Sequence, residues 1–308
     1  MKVIFLFLDG VGLGDPRSAH NPFNHAHTPF LDSLLEGQKL GWGINKFHNE
    51  IISVFELDAS GGVSGIPQSA TGQAMLLTGK NIPQQLGYHY GPKPNPEIAA
   101  YITNGNLFNT LRQNGYRSHY LNAFPPLYFE NIASGRRLYS AIPLAVISAG
   151  IKLNTIADLI AGRAISADFT NEGWRSYLGI TGIPTLTPSE AGKRISEIAS
   201  GFDLTFFEYW LTDYAGHRQN MAEAIHILET IDRVLESIVT SLDLSETMVW
   251  VTSDHGNLED LSHRRHTLNP VPLLVIGAEH VLTELSSVHA LPEVYPALLR
   301  LFPSRRAE

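Results

Sequence analysis

The sequence predicts an α/β fold with a mostly parallel central sheet, and three observations carry that expectation. Apolar runs of β-branched and aromatic residues at Val3 to Leu8, Leu204 to Leu211 and Met248 to Thr252 read as buried strands. Each run stops at or just before a carboxylate, namely Asp9, Asp213 and Asp254. Between the second and third runs, Met221 to Val239 places Ile225, Leu228, Ile231, Leu235 and Ile238 on one face of a helix. Strand, helix and strand in that order imply a right-handed parallel crossover, which delivers Asp213 and Asp254 to the same edge of the sheet. In open α/β sheets that edge, beyond the carboxyl ends of the strands, is where ligands bind.

Taken in order, the first strand runs into Asp9-Gly10-Val11-Gly12-Leu13-Gly14. This glycine spacing is not the dinucleotide fingerprint and reads as a loop that lets backbone pass close to the site. Pro67 to Gly79 reads as a loop entering a short helix that Gly79 ends. Leu107 to Asn114 is a short helix stopping before Gly115, followed by a strand at Arg117 to Leu121. After Asn269-Pro270, Val271 to Ile276 reads as a late strand. The Pro- and Gly-rich stretch from 82 to 201 carries an apolar helical run from Ala141 to Ala149 and on through Ile156 to Ala161, and is expected to supply part of the core and a small cap. One α/β metalloenzyme domain spanning 1 to 308 is expected, with the cap elements inside 82 to 201.

Composition narrows the chemistry. With 308 residues, 44% hydrophobic and 17% charged, the chain buries a real core. A formal net charge of -8 argues against broad attraction to nucleic acid or anionic lipid. The absence of Cys excludes disulfides and thiolate metal sites together, so any metal needs nitrogen and oxygen ligands. Val3 to Leu8 is too short for an export signal, and no window approaches the ~20 apolar residues of a membrane span, so a cytoplasmic location is expected. No segment marks an oligomer interface.

Asp213-x-x-x-His217 sets a carboxylate and an imidazole where both can reach one ion, and Asp254-His255 does so with neighbouring residues. Adding Asp9 and His266 gives more ligands than one tetrahedral ion needs, which suits two ions sharing a cleft. Lone histidines such as His48, His119 and His226 read as structural; what distinguishes the others is their joint occurrence at strand ends, because several buried carboxylates without cations would be very costly. Ser69 begins the short helix, where the helix dipole and free N–H groups favour an anion. As an N-cap it would merely serve the helix itself, and both readings stand on this segment alone. Thr71 competes as a nucleophile.

The order Asp9, Ser69, Asp213-x-x-x-His217, Asp254-His255-Gly256-Asn257 and His266-Thr267 resembles the alkaline phosphatase superfamily, and most closely the metal-binding domain of cofactor-independent phosphoglycerate mutase. Phe7-Leu8-Asp9-Gly10-Val11-Gly12, the stretch from His27 to Leu34 and the run from His266 to Pro272 look like that branch in detail. The resemblance covers roughly residues 1 to 80 and 203 to 278 and forms a long ordered ligand set. It implies a three-layer sandwich with a mostly parallel central sheet and a small cap insertion. It also implies that Asp213, His217 and His266 hold one divalent ion, that Asp9, Ser69, Asp254 and His255 hold the other, and that Ser69 forms a phosphoseryl intermediate. Asp and His ligands without Cys fit zinc or manganese.

The implied function is hydrolysis of a small phosphorylated substrate, a phosphomonoester or phosphodiester. The mutase carries a large inserted domain, whereas here the segment between Ser69 and Asp213 must also supply core strands. Intramolecular phosphoryl transfer is therefore the second reading, and a non-catalytic metal-binding module the third; a purely structural site has no need of the Ser69 hydroxyl. Gln68-Ser69-Ala70-Thr71-Gly72 lacks the Pro and Arg of a sulfatase motif. Arg136 and Arg137 could clamp a substrate phosphate or form a solvated surface, and Arg264 and Arg265 beside His266 carry the same alternatives. Asn257 reads as a partner of a metal ligand or as a turn residue.

Overall fold

The computed structural model describes residues 1–44, 47–277 and 288–305. Seven strands, β1 (Lys2–Leu8), β2 (Phe47–His48), β3 (Ile52–Leu57), β4 (Ser118–Tyr120), β5 (Leu204–Tyr209), β6 (Thr247–Thr252) and β7 (Val271–Ile276), form one mixed sheet in the order β2-β3-β7-β6-β1-β5-β4. The central strands β6, β1, β5 and β4 are parallel, while β7 runs antiparallel to both β6 and β3. All of β5 and β6, and β1 after its first residue, are continuously buried, as expected for strands covered on both faces.

Alternation along β1 splits the core in two. Val3, Phe5 and Phe7 join Phe206 and Trp250 in a cluster with the helices Ser69–Thr78, Pro96–Thr103, Leu107–Gln113 and Ala141–Ser148, whereas Ile4, Leu6 and Leu8 face the helices Pro188–Ala199 and Met221–Thr240. Phe5 stacks on Phe206 at 4.8 Å between ring centres, which helps lock β1 to β5. Every residue of the Ser69–Thr78 helix is buried, and Gly79 closes it with a left-handed φ of 67°. Such all-round burial holds the first residue of that helix rigidly at the sheet edge.

The expected α/β class with its late strand and Met221 helix is what the structure has, and some boundaries differ. β5 ends at Tyr209, and the chain turns into a helix at Leu211–Arg218, so Asp213 and His217 project from one helical turn. The turn is fastened where Asp9 N donates to Tyr209 O at 2.9 Å and the Thr212 hydroxyl donates to Asp9 O. The apolar run after Ala141 is two helices, Ala141–Ser148 and Ile156–Ile160, separated where Gly150 adopts a φ of 77°. β2 and β3 lie outside the expected strands. Within 82–201, the helices up to Ser148 pack into the main core, while Ala123, Leu159, Ala164, Trp174 and Ile183 form a separate small cluster. Among the described residues no helix is long and apolar enough to cross a membrane.

Candidate metal centre and nucleophile

The sheet edge gathers Asp9 from the end of β1, Ser69 from its buried helix, Asp213 and His217 from the turn after β5, Asp254 and His255 from the end of β6, and His266 from the loop before β7. Two groups of ligand atoms converge: Asp213, His217 and His266, and Asp9, Asp213 and His255, the atoms of each lying within 4.8 Å of one another. In the first group, His217 Nε2 lies 3.3 Å from Asp213 Oδ2, and His266 Nε2 lies 3.6 Å from Asp213 Oδ1. In the second, His255 Nε2 lies 3.0 Å from Ser69 Oγ, 3.3 Å from Asp9 Oδ1 and 3.6 Å from Asp254 Oδ2. The stacked rings of His255 and His266, 3.7 Å apart, join the groups.

Whether these residues suit cations is decided by their protons. His217 Nδ1 contacts Arg264 O at 2.8 Å and His266 Nδ1 contacts Pro67 O at 2.9 Å. A carbonyl only accepts, so each Nδ1 carries a proton and donates it. The two Nε2 atoms nevertheless face each other at 3.2 Å. Something positive, a proton or a metal ion, must lie between them and Asp213. Asp9 Oδ1 is a buried oxygen without a hydrogen-bond partner, an expensive arrangement unless a cation serves it. The donor set of imidazoles, carboxylates and one hydroxyl fits divalent metal ions.

The electrostatics agree. Burial, and then the charge of Asp254, raise Asp9 well above the usual carboxylate range, and burial raises Asp254 as well. Burial opposes a charge on His255, but Asp254 and Asp9 outweigh it and lift that imidazole to about 10. Burial and the charge of His255 hold His266 down to about 4, keeping its Nε2 lone pair free. Asp213 is pushed up by burial but pulled further down, to about 2, by the His217 contact, the charge of His255 and the Asn257 amide. Such opposed shifts within one cleft mark a place built around positive charge.

Ser69 is the first helical residue, not the cap. Gln68 occupies the cap position without a side-chain cap bond, and Ser69 Oγ points at His255 instead. Thr71 is committed elsewhere, its hydroxyl donating to Gln68 O at 3.0 Å. Asn257 Nδ2 donates to Asp213 Oδ1 at 2.7 Å, so it touches a ligand and is more than a turn residue. Gly10, at φ 68°, passes so close that an added Cβ would sit 2.7 Å from Asp213 Oδ1. Gly72 is equally confined, 2.6 Å from Asp254 O.

The basic candidates separate. Arg137 lies over the Tyr128 ring at 4.8 Å, and its charge, after partial burial, depresses the pKa of Lys93. The loop that carries Lys93 reaches the nucleophile, since a Cβ on Gly91 would sit 3.2 Å from Ser69 N. Arg136 is exposed and donates to Ser134 Oγ, and the Arg264 side chain donates to Gln219 Oε1. What Arg264 gives the site is its backbone carbonyl. Arg265 is exposed. His48 and His119 are engaged with Ser53 and Arg163 O, away from the ligand groups.

Two further buried residues, which the sequence does not mark as partners of the ligands, complete the surroundings. Gln73 Nε2 donates to Asp254 Oδ2 at 3.1 Å and reaches Asp9 Oδ2 at 3.4 Å from one turn beyond Ser69. Glu259 accepts from Gly12 N, Asn257 N, Thr267 Oγ1 and Asn269 Nδ2. The signal for Gln73 was its i+4 spacing from Ser69, which puts both on one helix face. Glu259 had only its nearness to Asp254 and His255.

Fold and donor set together define a metalloenzyme of alkaline phosphatase-like architecture. The chain belongs to the Metalloenzyme superfamily, which it matches over residues 1–303. Among curated proteins it is similar to 2,3-bisphosphoglycerate-independent phosphoglycerate mutases: 33% identical to that of Agrobacterium fabrum over 38% of this chain and 25% of the relative, and 35% identical to that of Thiobacillus denitrificans over 32% and 20%. The matched stretch thus spans about a quarter or less of those relatives. Among solved structures, the PH0037 protein from Pyrococcus horikoshii superposes with a TM-score of 0.58 at 15% identity, covering 100% of this chain and 98% of its own. An alkaline phosphatase variant of TAB5 with Mg bound in its M3 site gives 0.53 at 12% identity, covering 99% and 98%. These likenesses establish the shared fold.

Proposed function

We propose that the protein hydrolyses a phosphate ester of a small alcohol, with Ser69 as nucleophile and two divalent ions, zinc or manganese, as cofactors. The observation that carries this reading is Ser69 Oγ, 3.0 Å from His255 Nε2 inside a double cluster of carboxylates and imidazoles, where a structural metal site would have no use for a hydroxyl. Asp213, His217 and His266 would hold one ion, and Asp9, Ser69, Asp254 and His255 the other. When bound, the ions supply Lewis acidity to the phosphoryl oxygens and lower the pKa of the hydroxyl and of water.

The chain's own residues supply the rest. Ser69 Oγ bonds to phosphorus as the bond to the leaving alcohol breaks, giving a phosphoseryl ester; water then cleaves that ester and restores the hydroxyl. Helix burial fixes the direction of attack. Lys93, on the loop whose Gly91 approaches Ser69 N, and Arg137, whose charge reaches Lys93, would serve as counter-charges for the phosphoryl oxygens.

A second reading, intramolecular phosphoryl transfer, is favoured by the mutase names of the curated relatives. The test loads the protein in parallel with zinc and manganese and follows a chromogenic phosphomonoester and phosphodiester with wild type and Ser69→Ala. Turnover by the wild type alone, at equal metal content, is the expected result; turnover by neither protein on either ester would sink the hydrolase reading. Incubation with a phosphoglycerate separates the second reading, because a mutase returns the isomer and a hydrolase returns free phosphate.

A further inference from the structure

Four residues beyond Ser69 on the same helix face, Gln73 is 2% exposed and spends its amide nitrogen on two carboxylates: Nε2 donates to Asp254 Oδ2 at 3.1 Å and to Asp9 Oδ2 at 3.4 Å. Gly72 permits that reach, because a Cβ there would sit 2.6 Å from Asp254 O, so helix and ligand segment meet backbone to backbone. The other half of the amide is bare. Gln73 Oε1 is buried without a hydrogen-bond partner, and so is Oδ1 of the Asp9 carboxylate that Gln73 holds. A buried acceptor without a donor costs the folded state stability, and an apolar side chain of the same length would fill the space without that cost. Two bare oxygens on neighbouring groups suit a cation.

The two ligand groups then differ in kind. Asp213, His217 and His266 offer two imidazoles and one carboxylate, and the amide that serves them, Asn257, has its Oδ1 turned against Gly216, where a Cβ would sit 2.6 Å away. Around His255 stand Asp9, Asp254 and the Ser69 hydroxyl, with the Gln73 amide on both carboxylates, so oxygen outnumbers nitrogen. Imidazoles suit zinc, and three protein ligands with an open position are the form a catalytic zinc takes, whereas a larger set of carboxylate, hydroxyl and amide oxygens suits manganese. Given two ions in the cleft, as the hydrolase reading requires, we propose that Gln73 is a positioning residue that decides which metal is held: it sets Asp9 and Asp254 and adds an oxygen to their group, so that the Ser69 side takes manganese while Asp213, His217 and His266 take zinc.

The test strips the full chain with chelator, supplies one equivalent of zinc with an excess of manganese, removes unbound metal by desalting and counts both metals by atomic emission. Zinc is kept limiting because it outcompetes manganese at most nitrogen and oxygen sites. Wild type is expected to hold one zinc and one manganese per chain and to show the electron paramagnetic resonance spectrum of an isolated Mn(II). Gln73→Met keeps the side chain's length and removes the amide; it should retain zinc and bind manganese about 10- to 100-fold more weakly, with its metal-free thermal midpoint close to that of metal-free wild type, a split that a packing role would not produce. His217→Ala should lose the zinc and keep the manganese. If Gln73→Met does not fold, Gln73→Asn, whose amide is drawn back by one methylene, should show the same selective loss. Spin-coupled manganese pairs in the wild type, unchanged manganese affinity in the Gln73 variants, loss of both metals together from them, or loss of manganese instead of zinc in His217→Ala overturns the proposal. Metal content is read without turnover: selective loading by a protein that hydrolyses no ester supports the role of Gln73 and removes the hydrolase reading alone, whereas ester turnover with manganese binding indifferent to Gln73 overturns that role and leaves the hydrolase reading standing.

Discussion

His217 Nε2 and His266 Nε2 face each other at 3.2 Å while the opposite nitrogen of each ring donates to a backbone carbonyl. Two imidazoles held this way have their lone pairs aimed at a common point beside Asp213, and metal binding there is coupled to folding. Chelation should therefore lower the thermal midpoint, and zinc or manganese at about 1,000 times the dissociation constant should restore about 4 kcal/mol. Differential scanning calorimetry with and without chelator checks this; an unchanged midpoint would mean that the cluster does not hold an ion.

Ser69→Ala removes the hydroxyl without disturbing the helix, since Gln68 occupies the cap position and alanine favours helix. Activity on any accepted ester should fall by more than about 1,000-fold, with the fold intact by circular dichroism and metal content retained. Retained activity would transfer the nucleophile's role to a water.

Asn257→Ala takes away the 2.7 Å bond to Asp213 Oδ1 and leaves every ligand in place. Loss of a residue that orients a ligand typically reduces metal affinity or activity about 10- to 100-fold. Competition with a calibrated chelator should register the change for the ion at Asp213, His217 and His266, and a wild-type affinity would show Asn257 to be dispensable.

Glu208 lies on β5 below the site, where burial lifts its carboxyl from 4.5 to about 7 against the opposing Tyr120 hydroxyl bond. A raised folded pKa means that the folded state binds the proton more tightly, so this stabilising effect is full below about pH 4.5 and is lost as pH climbs through about 7. The loss amounts to about 3 kcal/mol. Glu208→Gln removes the titration, so denaturant unfolding of the variant minus that of wild type should shift in the variant's favour by about that amount between pH 4.5 and 8. A pH-independent difference would remove Glu208 as the source.

The ligands were legible because chemistry concentrated them: aspartates where apolar runs stop, and imidazoles spaced to share an ion. Asp213 and His217 are readable as a pair although the apolar run before them outlasts β5 by two residues, because Trp210 and Leu211 continue its apolar character while already turning into the next helix. Ile52–Leu57 was missed although five of its six residues are buried. Glu259 and Gln73 are harder to read for a different reason. Gln73 shows only its i+4 spacing from Ser69, while its partners Asp9 and Asp254 lie far along the chain, and Glu259 serves loop donors that neither propensity nor periodicity registers.

Glu259 ties Gly12, Asn257, Thr267 and Asn269 to one carboxylate, fastening the loop after Asp9 to the two segments that carry Asp254, His255 and His266. Seen in the order of synthesis, Asp9 and Ser69 leave the ribosome long before the residues that complete either group of candidate ligands. The cluster closes only when the segment from Asp254 to Asn269 has emerged and docked, so a nascent chain cut before Asp254 would have neither the last imidazoles nor the clamp. Completion of the ligand cluster is then a late event of biosynthesis, waiting until a late part of the chain has found the earliest.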